Sequence, residues 1–367
     1  KECDWSSDVC SSDLEVVLMR QMKAAVWDGG AQVRLVQKEV PVIEHPHEAI
    51  VKVSMAAICS SDLHILHGAV PEAKRGVTLG HEMVGTIVQC GSAVKRFAPG
   101  ERVSVNVETS CGSCFYCRNG FVNNCSDPLG GWSLGRRIDG GQAEYVRVPY
   151  AEQGLNRIPE GVSDEAALFT GDLLSTGYWA AQISQIEAGQ HVAVIGAGPA
   201  GLCTLMCLRL QPEIKLILID IDPERLAFAR RLGLADVFLD PSQDDAAAKV
   251  RALTEGRGAD RVLEIAGGAD TFQLAWQIAR PNAIVSVIAM YEQDQLLPLP
   301  QMYGKNLTFK TGGVDGVWCD EILRLIAQGK IDAEPLITHR FSIDEIAEAY
   351  RLFEQREDHV MKVAVTF

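Results

Sequence analysis

Four cysteines, Cys111, Cys114, Cys117 and Cys125, form a C-x2-C-x2-C-x7-C arrangement in a loop that also carries glycine and asparagine. Clustered thiolates of this number satisfy tetrahedral zinc with no open position, so the spacing predicts a structural metal site; disulfides or an iron–sulfur cluster are the alternatives. A second set of metal-competent residues is dispersed: Cys59 in Ile58-Cys59-Ser60-Ser61-Asp62-Leu63-His64, His81 in Gly80-His81-Glu82, and Asp172 in Thr170-Gly171-Asp172. Taken singly these say little, because a lone buried cysteine is ordinarily a small hydrophobe and a His-Glu pair ordinarily a hydrogen bond.

The third chemical signal is Gly196-Ala197-Gly198-Pro199-Ala200-Gly201, which follows an apolar strand at 191–195 and opens an apolar helix. Such glycines allow a tight turn and close backbone approach to a pyrophosphate, which the unpaired N–H groups of the helix N-terminus attract. A plain strand-to-helix turn is the alternative. The next strand ends at Asp220, where a carboxylate accepts hydrogen bonds from ribose hydroxyls and repels a 2'-phosphate, pointing to NAD; a solvated strand end is the bland reading. Asp222 and Arg225 complicate that choice, since a nearby arginine accommodates the phosphate of NADP in some sites.

These residues need two kinds of element to hold them. Between residues 22 and about 149, short β-rich runs at 23–27, 49–55, 83–89, 102–107 and 143–148 are broken by Gly and Pro, predicting a β-rich, partly open barrel. From about 175 to 311, apolar strands at 191–195, 215–220, 261–265 and 283–289 alternate with helices at 201–210, 224–232 and 270–279, the α/β pattern of a doubly wound parallel sheet. A helix at 344–354 and a last strand at 361–367 are expected to return to the first domain.

The 367 residues are 47% apolar, enough for a large core and two domains. A net charge of -14 spread along the chain argues against nucleic acid and anionic membranes, and no apolar run approaches the roughly 20 residues needed to cross a bilayer. Several of the eleven cysteines lie in metal-like settings and others in an apolar helix, which suits a reducing cytoplasm better than a disulfide framework. Residues 1–21 repeat Ser-Ser-Asp without periodicity and lack the features of a secretory signal; they read as a non-native leader of the translated-adapter kind.

In this order, the segments from 22 to 367 resemble the zinc-dependent medium-chain alcohol dehydrogenases. The resemblance implies a GroES-like catalytic domain at 22–174 and 312–367 around a Rossmann cofactor domain at 175–311. It implies a catalytic zinc on Cys59 and His81 with Glu82 beside it, and a second zinc on the four-cysteine loop, two per subunit. Gly171-Asp172-Leu173-Leu174-Ser175-Thr176-Gly177-Tyr178 falls where many members have Gly-Cys before the same Ser-Thr-Gly-Tyr, so Asp172 stands at the third-ligand position. This departs from the two-cysteine pattern and is similar to bacterial secondary-alcohol and glutathione-independent formaldehyde dehydrogenases. The alternative is that Asp172 caps the next helix and Glu82 ligates.

A zinc with one open position lets an alcohol lose its proton near neutral pH while hydride passes to nicotinamide. By resemblance, Ser61 and His64 relay that proton to solvent, Asp62 orients a zinc ligand, Thr176 lies beside the nicotinamide, and Lys362 reaches the pyrophosphate. His64 as a half-exposed polar residue and Lys362 as a solvated lysine remain open. The expected function is NAD-linked interconversion of a secondary or small alcohol and its carbonyl by a homodimer or homotetramer. Polyol or diol oxidation, a zinc-free NADPH quinone reductase and a non-enzymatic cofactor-binding protein are the rivals.

Overall fold

The strand Ala49–Ile58 is buried along most of its length, as a strand with neighbours on both sides must be, and it organises the N-terminal half. The computed structural model describes residues 21–367. All but the last residue of the expected leader lies outside that range, and Gln21 already belongs to the fold. In chain order the strands are β1 (Gln21–Trp27), β2 (Val33–Glu39), β3 (Ala49–Ile58), β4 (Val77–Thr78), β5 (Met83–Cys90), β6 (Arg102–Val105), β7 (Glu108–Thr109), β8 (Gly131–Trp132), β9 (Tyr145–Val148) and β10 (Leu155–Arg157). A second group follows, β11 (His191–Ile195), β12 (Lys215–Ile219), β13 (Val237–Leu239), β14 (Ala259–Glu264), β15 (Ala279–Val287) and β16 (Thr308–Thr311), then β17 (Ile337–Ser342) and β18 (Lys362–Thr366).

The first sheet runs β10-β6-β5-β3-β18-β17, with β9 also on β3, and a smaller sheet runs β2-β1-β4. β18 pairs antiparallel with β3, Val363 opposite Ile58, so the C-terminal strand does rejoin the N-terminal sheet. β11 to β16 form one parallel sheet in the order β13-β12-β11-β14-β15-β16, the doubly wound arrangement. Its order reverses between β11 and β14, and ligands of such sheets bind outside the strand C-termini at that point.

Helices α1 (Ser60–Leu66), α2 (Ser175–Ile183) and α3 (Pro199–Leu208) carry the chemistry-bearing segments. A π-helical turn, Thr170–Leu174, leads directly into α2. One apolar cluster runs from Met55, Ala57 and Val84 through Phe169 and Leu174 to Leu202 and Val192, so both sheets share a continuous core. Within it Phe169 is wholly buried; burial of such a side chain stabilises by about 1.5–3 kcal/mol. None of the described helices is long and apolar enough to cross a membrane.

The π-turn fits because residue 171 has no side chain: a Cβ there would sit 1.9 Å from the carbonyl oxygen of Val105. Gly171→Ala is therefore expected to push the turn off β6 and lower stability by about 1–3 kcal/mol, as overpacking does. Denaturant unfolding of the variant beside the parent protein measures this.

Candidate active site

Three segments distant in sequence meet at one point. Cys59 ends the β3 segment and caps α1, its N–H donating to Asp62 Oδ2 at 3.0 Å. His81 and Glu82 precede β5, and Asp172 projects from the π-turn. One ligating atom each from Cys59, His81, Glu82 and Asp172 lies within 4.8 Å of the others. Asp172 Oδ2 is 3.4 Å from His81 Nε2 and 4.0 Å from Cys59 Sγ. The capping role open to Asp172 is not adopted, because α2 begins from Leu174 with no side-chain cap. Thr176 instead donates its hydroxyl to Asp172 Oδ1 at 3.3 Å.

Asp62 is fully buried, accepts from the Cys59 N–H and from Gln142 Nε2, and places Oδ1 3.3 Å from His81 Nδ1. That last contact is misaligned, leaving both atoms without a well-formed hydrogen bond, yet it turns Nε2 toward Cys59 and Asp172. Burial pulls the His81 pKa down, but the carboxylates of Asp62 and Asp172 outweigh it and hold it well above the ordinary value. Burial pushes the Cys59 thiol up. Cys59, Asp62, Glu82 and Asp172 thus crowd acidic groups around the His81 ring, and the second Glu82 oxygen is buried and unpartnered. A dication with thiolate, imidazole and carboxylate donors suits that imbalance, so the residues present fit zinc. The Cys59 thiol donates to Ser61 Oγ at 3.8 Å, and His64 lies one helical turn further along α1.

The four-cysteine loop is equally converged. Cys111, Cys114, Cys117 and Cys125 place their sulfurs within 4.8 Å of one another as separate thiols, Cys114 and Cys117 at 3.4 Å. Backbone N–H groups aim at the sulfurs, from Cys117 to Cys114 and from Cys111 to Cys125, both at 3.4 Å. Hydrogen bonds from the backbone at Cys117 and Ser126 lower the Cys114 thiol to about 5, while burial pushes its neighbours Cys117 and Cys125 up.

At the glycine turn Gly196 takes φ +111°, and a Cβ on Gly201 would sit 1.9 Å from the Gly196 carbonyl oxygen, so both positions need glycine. Gly198 caps α3, with Pro199 and Ala200 in its first turn. Asp220 accepts from Ala197 N at 2.6 Å and from Asp222 N at 2.8 Å, which fixes its carboxylate against the turn. Arg225 Nη1 comes within 3.6 Å of where a Gly198 Cβ would stand.

Comparison with known proteins decides the family. The Alcohol dehydrogenase GroES-like domain profile matches residues 45–160 and the Zinc-binding dehydrogenase profile residues 199–321. The alcohol dehydrogenase of Cupriavidus necator is 35% identical over 364 residues, covering 94% of this chain and 98% of its own. The chain belongs to the zinc-dependent medium-chain alcohol dehydrogenases. Among solved structures, alcohol dehydrogenase TADH from Thermus sp. ATN1 superposes with TM-score 0.87 at 34% identity, over 94% of this chain and 99% of that one. A putative zinc-binding dehydrogenase from Sinorhizobium meliloti 1021, bound to NADP, gives TM-score 0.84 at 29% identity, over 95% and 99%. As a member of this family, the enzyme is a zinc-dependent oxidoreductase using a nicotinamide cofactor on small-molecule alcohol or carbonyl substrates.

One expectation for this alcohol dehydrogenase needs correction. Lys362 is neither solvated nor free for a phosphate: it is 1% exposed, its Nζ donates to Glu82 Oε1 at 2.6 Å, and it lies 5.4 Å over the Phe169 ring. Burial pulls the ammonium toward neutrality, but Glu82 more than offsets this and keeps it charged. A buried carboxylate beside the ligand cluster requires a counter-charge, and only register between distant strands supplies it. Trp132, Gln142 and Glu108 were not signalled by any motif. Trp132 packs edge-on against His81 at 5.4 Å, and Gln142 joins Asp62 to the Tyr350 hydroxyl. Glu108, opposite Trp132 in the β7–β8 pair, is buried with one oxygen unpartnered, and burial then Asp172 hold its pKa well up.

Lys362→Met strands the Glu82 charge and is expected to cost about 3–5 kcal/mol of stability, whereas the double variant with Glu82→Gln recovers most of it. Denaturant unfolding of the single and double variants measures the difference.

Proposed function

We propose that the enzyme is an NAD-preferring dehydrogenase of secondary or small alcohols that holds two zinc ions per subunit. The convergence of Cys59, His81, Glu82 and Asp172 carries this reading. In it Cys59, His81 and Asp172 are the protein ligands of the catalytic zinc, Glu82 stays with Lys362, and Cys111, Cys114, Cys117 and Cys125 hold the structural ion. When bound, zinc supplies a Lewis acid that favours loss of an alcohol proton, and nicotinamide takes the hydride. Ser61, beside Cys59, receives the alcohol proton and His64 carries it toward solvent. Thr176 steadies Asp172 through its hydroxyl. The glycine turn with Pro199 and Ala200 cradles the pyrophosphate, Asp220 takes the adenosine ribose, and Arg225 flanks the phosphates.

Residues 22–174 with 312–367 act as the catalytic unit and 175–311 as the cofactor unit. A homodimer or homotetramer is supported by the outer position of β16 in its sheet and by exposed Leu296, Leu297, Leu299 and Tyr303 ahead of it. The free thiols suit a cytoplasmic location.

Metal analysis of the purified enzyme is expected to find two zinc ions per subunit. Asp172→Ala should release one and abolish turnover, while Glu82→Gln should keep both; the reverse pattern would transfer the ligand role to Glu82.

Steady-state kinetics is expected to favour NAD. Removing the like charge at Asp220 with Asp220→Ser should narrow the NAD-over-NADP ratio in kcat/KM by roughly 10-fold or more. An unmodified enzyme equally efficient with NADP would hand control of the pocket to Arg225.

A further inference from the structure

His64 is tied to a residue that no motif marks. Its Nδ1 lies 2.8 Å from Oε1 of Glu292, 228 positions away, in the segment that follows β15. β15 is next to β14, so the contact spans from α1 to the rim of the crevice beside the strand-order reversal. Exposure rises step by step along this line: Cys59 and its neighbour Asp62 are buried, Ser61 is half-buried, the His64 side chain is 23% exposed and that of Glu292 is 51% exposed. Of these residues Glu292 lies at the solvent end, paired with His64.

An ionised carboxylate only accepts hydrogen bonds. The ring nitrogen facing Glu292 must then carry hydrogen, and in the neutral imidazole the opposite nitrogen, Nε2, is left as a bare acceptor. That is the tautomer a proton acceptor needs if protons arrive from the Ser61 side. Asp62, the acidic residue on the same helix, does not compete: its oxygens are turned to the Cys59 N–H, Gln142 and His81. His67 is paired separately with Glu354 at 2.7 Å.

We propose that Glu292 is a positioning residue for alcohol oxidation, holding His64 with hydrogen on Nδ1 so that Nε2 receives the alcohol proton. The inference rests on the relay role of His64 proposed above. The alcohol loses its hydroxyl proton through Ser61 to His64 and its carbon-bound hydride to nicotinamide; His64 returns the proton to water. Glu292 gains and loses nothing. Its part is to choose which nitrogen is free, and at the outer end of the path it does so without obstructing the exit.

The test is the single-turnover rate of nicotinamide reduction by the zinc-loaded enzyme with a saturating alcohol, together with 15N NMR of the imidazole tautomer. Glu292→Ala is expected to slow the rate by about 10-fold, a fraction of the roughly 100-fold or more that a positioned general acid–base group contributes, with KM nearly unchanged. Glu292→Asp should restore most of the rate. In the NMR spectrum, the resonance lost in His64→Gln should report hydrogen on Nδ1 in the parent enzyme and a mixture of tautomers in Glu292→Ala. Adding Glu292→Ala to His64→Gln should slow nothing further. A His64→Gln enzyme that turns over normally would remove the relay reading itself. A slowed His64→Gln enzyme beside a normal Glu292→Ala enzyme, additive losses in the double variant, or an unchanged tautomer would each overturn the role of Glu292 and leave the relay standing.

Discussion

Acidic groups crowded around one buried point are the constraint that shapes this protein. Cys59, Asp62, Glu82 and Asp172 surround His81 in a largely buried region, where an unpaired charge is costly. Each is answered by a different device. Glu82 has Lys362, and Asp62 has the Cys59 N–H and Gln142. Cys59 and Asp172 have the imidazole, the hydroxyls of Ser61 and Thr176, and the more distant charge of Lys362. A divalent metal completes that part of the balance. The donors are arranged for a dication before it arrives, and the carboxylates of Asp62 and Asp172 beside His81 push its pKa well up.

Satisfying this constraint dictates topology. Lys362 reaches Glu82 only because the C-terminal strand β18 returns to pair with β3, which also delivers Cys59. Asp172 reaches His81 only because Gly171 lets its turn sit against the Val105 carbonyl. The same turn continues into α2, and Gly177 lets α2 approach the backbone of α3 at Thr204. Asp172 and the glycine turn that opens α3 are thus held by one helix pair, which ties the residue cluster and the turn into one rigid frame.

Residues with strong local signals were legible. β11 falls at 191–195, and the helices after it and after β12 begin within two residues of the apolar pattern, because a buried parallel strand and its helix are written in continuous apolar runs. β7 and β8, two residues each, have no such signal; tertiary pairing creates them, and with them the placement of Trp132 and Glu108. The four-cysteine loop could be read because its residues are close in sequence. Convergence of Cys59 and Asp172, 113 positions apart, could be reached only through resemblance. Lys362 was assigned to the pyrophosphate because a terminal-strand cation is visible in sequence and its buried partner is not. Glu292 was missed for the same reason: an exposed loop carboxylate means nothing until the fold brings an imidazole to it.

The proposed cofactor preference turns on two charges that act at different points. Asp220 is clamped by the N–H groups of Ala197 and Asp222, one to each oxygen. A carboxylate has about four acceptor sites, so those bonds fix its direction and still leave lone pairs for ribose hydroxyls. Its negative charge also cannot swing away from an incoming 2'-phosphate. Arg225 is placed differently. Burial lowers its pKa, while Asp220 and Asp222 partly hold it up, and its guanidinium lies over Gly198 at the helix start. In the proposed binding mode that position puts it beside the diphosphate common to both cofactors, where it would add affinity without choosing between them. In that mode discrimination is left to the carboxylate that the turn itself holds in place.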